Sequence, residues 1–261
     1  MLTFSLIIEL IHCANVILKF QMLTFNKNTS IFHLMSEFAI LSSVTNSSST
    51  LSAELTSTLR DAIITGEIPQ GAKLSEAKMA KELDVSRGPL REAIRRLEGM
   101  NLVHHRPQQG STVVSLSREL ILQIYDAREA LESKAVSLAA EKMSSKEIDE
   151  LHREIDVQSK QMRENSGASV PAESDYRFHE MIIRGSKNKV IERALIHELY
   201  NLIKMFRYQN EFAKGSSSNS LVEHRQIVYA IQQRDSVLAE ITMKRHIVHA
   251  RERIERRMNL N

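Results

Sequence analysis

Two groups of side chains in this 261-residue chain have types and spacing suited to chemistry. The first is Arg87, Arg91 and Arg95, each four positions from the next, with Arg96 beside them. On a helix, a step of four keeps side chains on one face. A row of guanidinium groups suits a nucleic acid, because the planar fork of arginine donates two hydrogen bonds to guanine O6 and N7. Ser86 stands just before them, where its hydroxyl and the helix N-terminus can donate to phosphate. The second group is Asp175 and His179, also four apart, with His224 and His246. Three imidazoles and a carboxylate suit Zn²⁺, Ni²⁺ or Mn²⁺, and leave positions open for water or a ligand. His197 and His249 compete for the same role, and spacing alone does not choose among ten histidines.

The elements that must position these groups follow from periodicity and caps. Leu51, Leu55, Leu59, Ile63 and Ile64 form one helical stripe, which Gly66 ends. Ser75 to Leu83 reads as a short helix with Ser75 at its N-cap. Asp84-Val85-Ser86 is a tight turn, and Ser86 caps a second helix to about Gly99. Pro89 sits in that helix's first turn, where a missing amide is tolerated. Leu90, Ile94 and Leu97 face inward, which leaves the arginines outside. Leu102-Val103 and Thr112 to Val114 read as two short strands. Between them Arg106 to Ser111 forms a wing, where Gln108, Gln109 and Gly110 can approach the backbone or minor groove of a duplex. Two short helices, a tight turn and a hairpin make a winged helix-turn-helix.

From Ser117 onward the pattern is helical in six segments, near 118–142, 145–165, 172–184, 188–210, 218–233 and 235–257. Ser144 with Glu147 has capping-box spacing. Pro171, Asn188 and Asp235 open later segments, and Lys214 to Ser220 reads as a loop. The fold class expected is mainly α: an N-terminal winged helix-turn-helix with a small β-hairpin wing, then an antiparallel six-helix bundle. The divisions are 1–50 leader, 51–116 winged helix, 117–257 helical domain and 258–261 tail.

Composition sets the outer bounds. Net charge is only +3, so a nucleic-acid surface must come from local clustering. The single cysteine, Cys13, excludes an intrachain disulfide and fits a reducing cytosol. Met1 to Phe25 is apolar, but Glu9, His12, Asn15 and Lys19 interrupt the run. This segment holds no clean run of roughly 20 apolar residues and no pattern of a secretory signal. Met35 opens a polar Ser/Thr-rich leader expected to be disordered up to Thr50, and residues 1–34 read as an artefact upstream of a start at Met35.

The run from Leu59 to Val114 resembles the GntR family of regulators. The resemblance rests on the segment I-x-x-G-x-I-x-x-G-x-x-L-x-E (Ile63 to Glu76) and on VSRGPLREAIRRL (Val85 to Leu97). It implies that Arg87, Arg91 and the wing Gly110 contact an operator. Asp84 and Asn101 stand where glycine is common, and both residue types tolerate left-handed geometry. Gly88 replaces a commoner threonine. Residues 117–257 resemble the FCD effector-binding domain of the FadR-like branch, through AREALESKAVSLAAEKM (Ala127 to Met143), DYRFHEMIIRGSKNKV (Asp175 to Val190) and EHRQIVYAIQQRDSVLAEITMKRHI (Glu223 to Ile247). That resemblance implies a divalent metal on Asp175, His179, His224 and His246, with a small carboxylate beside it. It also sets Arg128 against the cavity, where it can pair with a carboxylate or, equally, with Glu132 one turn on.

The function expected is that of a cytoplasmic, homodimeric DNA-binding regulator, a repressor whose grip on double-stranded operator DNA a small carboxylate metabolite modulates, with no membrane attachment and no enzymatic activity. The alternative is a metal-dependent hydrolase built on the same Asp/His cluster, with Glu180 or Glu223 as acid; no H-E-x-x-H motif supports it.

Overall fold

A computed structural model describes residues 48–164, 169–210 and 216–259. The leader before Ser48 and the tail after Asn259 lie outside the described residues. The expected helix begins at Ser48, so Ser48 to Thr50 belong to it and not to the leader: α1 is Ser48–Thr65. Thr56 and Thr58 return their hydroxyls to the Ser52 and Glu54 carbonyls one turn back (2.6 and 3.0 Å). Gly66 follows at φ +87°, the left-handed geometry that ends a helix cheaply only at glycine.

The head continues through β1 (Lys73–Leu74), α2 (Glu76–Glu82), α3 (Arg87–Gly99), β2 (Val103–Arg106) and β3 (Gly110–Val113). Ser75 caps α2 by accepting from the Lys78 amide. Asp84 and Asn101 take φ of +50° and +59°, as the two expected turns require. The wing strands pair antiparallel, from Val103 opposite Val113 to Arg106 opposite Gly110. Gln108 and Gly110 turn the tip at φ +64° and +83°. A third strand was not expected: β1 adds to the far edge of β3, with Leu74 opposite Ser111. Two residues are too short to show a strand period, which is why the pattern hid it. Leu59, Ile63, Leu90, Ile94, Leu97, Leu102, Val103 and Val113 close the head's core.

The remaining elements are α4 (Arg118–Lys142), α5 (Ser145–Glu164), β4 (Ser169–Val170), α6 (Ala172–Gly185), α7 (Lys189–Glu192), a π-helical stretch (Arg193–Leu199), α8 (Tyr200–Gln209), β5 (Ser216–Ser217), α9 (Ser218–Gln232) and α10 (Ser236–Met258). Helix α4 packs along α10, where the fully buried Ala135, Ala139 and Ala239 allow close approach. The expected fourth segment is not uniform α-helix. Leu195, Ile196, Tyr200, Ile203 and Arg207 are among its buried positions. The Tyr200 amide reaches the Leu195 carbonyl five residues back and closes a π-turn. The expected loop at 214–220 is shorter than read, because Ser216–Ser217 pairs with β4 and α9 starts at Ser218. Among the described residues no helix is long and apolar enough to cross a membrane.

Caps fix where the bundle's helices start. Asn188 accepts from the Val190 and Ile191 amides, and Asp235 from Leu238. Ser144 and Glu147 form a full capping box: the Ser144 amide donates to Glu147 (2.9 Å) and the Glu147 amide to the Ser144 hydroxyl (3.3 Å). The Lys187 ammonium on the same carboxylate, with that amide, holds Glu147 down at about 2. A carboxyl lowered in the folded state stabilises above its unfolded value, about 4.3, and loses that contribution as pH falls through the folded one. Glutamine can still accept from the Ser144 amide, so Glu147→Gln loses mainly the Lys187 ion pair and is expected to cost about 0.2–1 kcal/mol at pH 7. In urea melts run at descending pH, its gap to wild type should close between about pH 4.3 and 2.

Candidate metal centre and DNA-facing helix

Helices α6, α9 and α10 bring Asp175, His179, His224 and His246 together, with donor atoms all within 4.8 Å of one another. All four are buried, His224 completely. His197 and His249 do not join the cluster; His249 instead donates to Glu223 from an exposed position (2.7 Å).

What surrounds the imidazoles fixes their tautomers. Gln158 of α5 donates its Nε2 to the Ser174 carbonyl, which can only accept (3.0 Å). Its Oε1 must then face His224 Nδ1, and His224 must be the donor (2.8 Å). His179 Nδ1 donates to Glu132 (2.6 Å) and His246 Nδ1 to Glu223 (2.7 Å). With every Nδ1 donating outward, the three Nε2 atoms point inward. His179 and His246 bring theirs to 3.2 Å of each other. His224 Nε2 has no hydrogen-bond partner and lies 3.6 Å from Asp175 Oδ1. A buried imidazole nitrogen without a donor is costly in a dry core, and a cation among the three nitrogens would satisfy it. The donor set fits one divalent ion, and its outer hydrogen bonds are those that orient metal-bound histidines.

Burial, with His246 beside it, holds His224 well below the usual imidazole range, and burial lowers His246 as well. Burial alone would raise Asp175, but the Arg207 guanidinium (2.6 Å) outweighs it and holds the carboxyl well below its ordinary value. Glu132 shows the same contest. Burial raises it, while Arg128 and then His179 bring it down to about 2.

Arg128 does both things open to it. Its Nε donates to Glu132 (2.6 Å) and its Nη2 to the Tyr200 hydroxyl (3.3 Å), while Nη1 is buried without a hydrogen-bond partner. It also lines a small open recess with Asp175, Tyr176, Tyr200, Lys204 and Arg207. Asp175 thus belongs to both cluster and recess. Arg207 Nε is likewise buried and without a partner. Sequence reading missed Gln158, Tyr200 and Arg207 in this site, and named Glu132 only as the partner of Arg128 one turn away.

On the head, Arg87, Arg91 and Arg95 are exposed along α3 while Leu90, Ala93, Ile94 and Leu97 are buried. Ser86 occupies the N-cap position, but its hydroxyl makes no bond to the helix, contrary to the expected cap. The helix starts there through backbone geometry (φ −70°, ψ 153°). Arg91 Nε is held by Glu76 at the start of α2 (3.0 Å), which braces the guanidinium across the turn. Arg96 pairs with Glu92 instead (3.2 Å). Gly88 is exposed and nothing lies within 4 Å of where a Cβ would stand, so the usual threonine would meet no clash.

Residues 51–113 match the family described as "Bacterial regulatory proteins, gntR family", and residues 123–249 match the "FCD domain". The chain is 27% identical over 191 residues to YdhC, an uncharacterized HTH-type transcriptional regulator of Bacillus subtilis (strain 168), across 73% of this chain and 85% of that one. It is 29% identical over 188 residues to a probable D-xylose utilization operon transcriptional repressor of Paenarthrobacter nicotinovorans, across 71% and 80%. A solved structure of a GntR-type transcriptional regulator from Rhodococcus sp. RHA1 superposes with a TM-score of 0.59 at 24% identity, covering 78% of this chain and 96% of that one, which shows a shared fold.

The buried ion pair is the most exposed to test. Removing one partner of such a pair strands the other. Arg128→Met is expected to lower unfolding stability by about 3–5 kcal/mol, read by urea denaturation at pH 7; a loss below about 1 kcal/mol, the value of a surface pair, would show that Glu132 does not depend on it.

Proposed function

Because the chain belongs to the gntR family of bacterial regulatory proteins and carries an FCD domain behind its winged helix, we propose that it is a ligand-responsive repressor that holds operator DNA with α3 and senses a small carboxylate beside a divalent metal in the bundle. The coarser part is plain: it is a transcriptional regulator of the GntR/FCD type. The family and these relatives are transcriptional regulators and not enzymes, so nothing favours the hydrolase alternative.

We assign residues 51–116 to the DNA-binding unit and 117–257 to the sensor. In this reading Arg87, Arg91 and Arg95 reach base edges and phosphates in the major groove, Ser86 donates to phosphate, and the wing Gly110 lets backbone approach the duplex. The brace from Glu76 supports the role of Arg91, because a pre-set guanidinium loses less freedom on binding. A half-site is short, so a two-fold homodimer spanning adjacent grooves supplies the affinity. Repression is argued from the relative named as a repressor. A cytoplasmic site of action follows from a DNA target.

The observation that carries the sensor reading is the convergence of three Nδ1-tethered imidazoles on Asp175. Asp175, His179, His224 and His246 would hold the metal, which supplies a positive centre for a carboxylate. The chain's own residues do the rest. Arg207 keeps Asp175 ionised. Glu132, Gln158 and Glu223 orient the imidazoles. The partnerless N–H groups of Arg128 and Arg207 beside the recess suit a second carboxylate oxygen.

Two variants separate the two halves. Arg91→Ala is expected to weaken binding to duplexes selected by the wild type by about 1–3 kcal/mol, with metal content unchanged. His224→Ala is expected to purify without stoichiometric metal and still bind those duplexes. Full metal occupancy in His224→Ala, measured by inductively coupled plasma mass spectrometry, would refute the four-residue site. Undiminished binding by Arg91→Ala would refute the recognition helix.

A further inference from the structure

Helix α8 ends at the seam between head and bundle. Its Tyr200 and Arg207 turn inward, onto Glu132 and Asp175. Gln209, two residues past Arg207, points the other way. Successive helical residues turn by 100°, so a step of two reaches the opposite face. There Gln209 Nε2 donates to the Ile63 carbonyl at the end of α1 (2.8 Å), which also accepts from the Gly66 amide.

The bond is one link in a chain. The Leu116 amide, in the connection from β3 to α4, donates to Gln70 Oε1 (2.8 Å). Gln70 Nε2 donates to Gln209 Oε1 (2.7 Å), and Gln209 Nε2 to Ile63. An amide N–H can only donate and a carbonyl can only accept, so the two ends fix both glutamine orientations. Gly66 completes the fit. A Cβ there would lie 3.2 Å from Gln209 Cγ, and its φ of +87° already favours glycine. The three amides therefore tie α1, the connection to the bundle and the last turn of α8 at one point.

We infer that Gln209 is the positioning residue that couples the state of the metal site to the attitude of the winged helix, an inference that rests on the sensor reading above. Arg207 bonds a member of the cluster, and Gln209 is held to it rigidly by one half-turn of helix. A change in how Asp175 is engaged moves the last turn of α8, and the clasp passes that movement to α1, on which α3 packs.

The test uses the full chain, first stripped with EDTA and then loaded with Zn²⁺. Hydrogen–deuterium exchange reads the Gly66 and Ile68 amides, which donate to the Ile63 and Ala62 carbonyls. Equilibrium dialysis reads zinc affinity separately. In the wild type, zinc should change exchange at these amides by about five-fold or more, the lower end of ordinary allosteric coupling. Gln209→Met keeps the length of the side chain and its packing on Gly66 but not the amide. It should bind zinc as the wild type does and lose the zinc-dependent change. Gln70→Met breaks the same chain one link on and should do the same. Zinc-dependent exchange that persists in both variants overturns the inference, as does zinc that binds the wild type and leaves these amides unaltered. A wild type that takes up no zinc defeats the sensor reading itself, and the coupling falls with it.

Discussion

Three imidazole nitrogens converge in the interior of the bundle, and the surrounding structure is arranged to keep them there. Each ring is turned by a bond on its far side, from Nδ1 to Glu132, Gln158 or Glu223. Each of those acceptors is held in turn: Glu132 by Arg128 and Tyr200, Gln158 by the Ser174 carbonyl, and Glu223 by His249 as well as His246. His179 and His246 bring their Nε2 atoms to 3.2 Å of each other, and His224 Nε2 is buried without a partner. A cation among the three would engage them all, which is what the proposed metal site supplies. The adjoining recess adds two guanidinium groups with N–H atoms to spare, so in the proposed sensor metal and recess together would present positive charge to an anion.

The head obeys a simpler constraint. Leu90, Ala93, Ile94 and Leu97 bury one side of α3, and everything polar on the helix must face out. The arginine row is therefore a consequence of core packing as much as of charge. Between head and bundle lies a seam of hydrogen bonds and not of apolar contact alone, in which two glutamine side chains bridge two backbone groups. Such a seam can hold one orientation and yield to another at modest cost.

Much of this was legible in the sequence because the signals were local. Helix periods, the caps at Ser75, Ser144, Asn188 and Asp235, and the left-handed turns at Asp84 and Asn101 each declare themselves within a few residues. The four cluster residues were legible through a family pattern, whereas spacing alone left His197 and His249 open. What stayed hidden was tertiary. Gln158 and Arg207 have no near neighbour in sequence that marks them as partners of His224 and Asp175. The π-turn appears only in the backbone bond from Tyr200 to Leu195. Ser86 had the right residue type for a cap and does not make the bond, because the preference for serine there is statistical and backbone geometry suffices. The strand Lys73–Leu74 exists only because β3 offers it an edge.

The central claim is that these four side chains make one metal centre. X-ray absorption on the zinc-loaded protein tests it most directly. The account predicts a shell of three imidazole nitrogens at about 2.0–2.1 Å and carboxylate or water oxygen at about 2.0–2.2 Å, with the multiple-scattering pattern of histidine. A shell of oxygens alone, or fewer than two imidazoles, would place the ion elsewhere and contradict it.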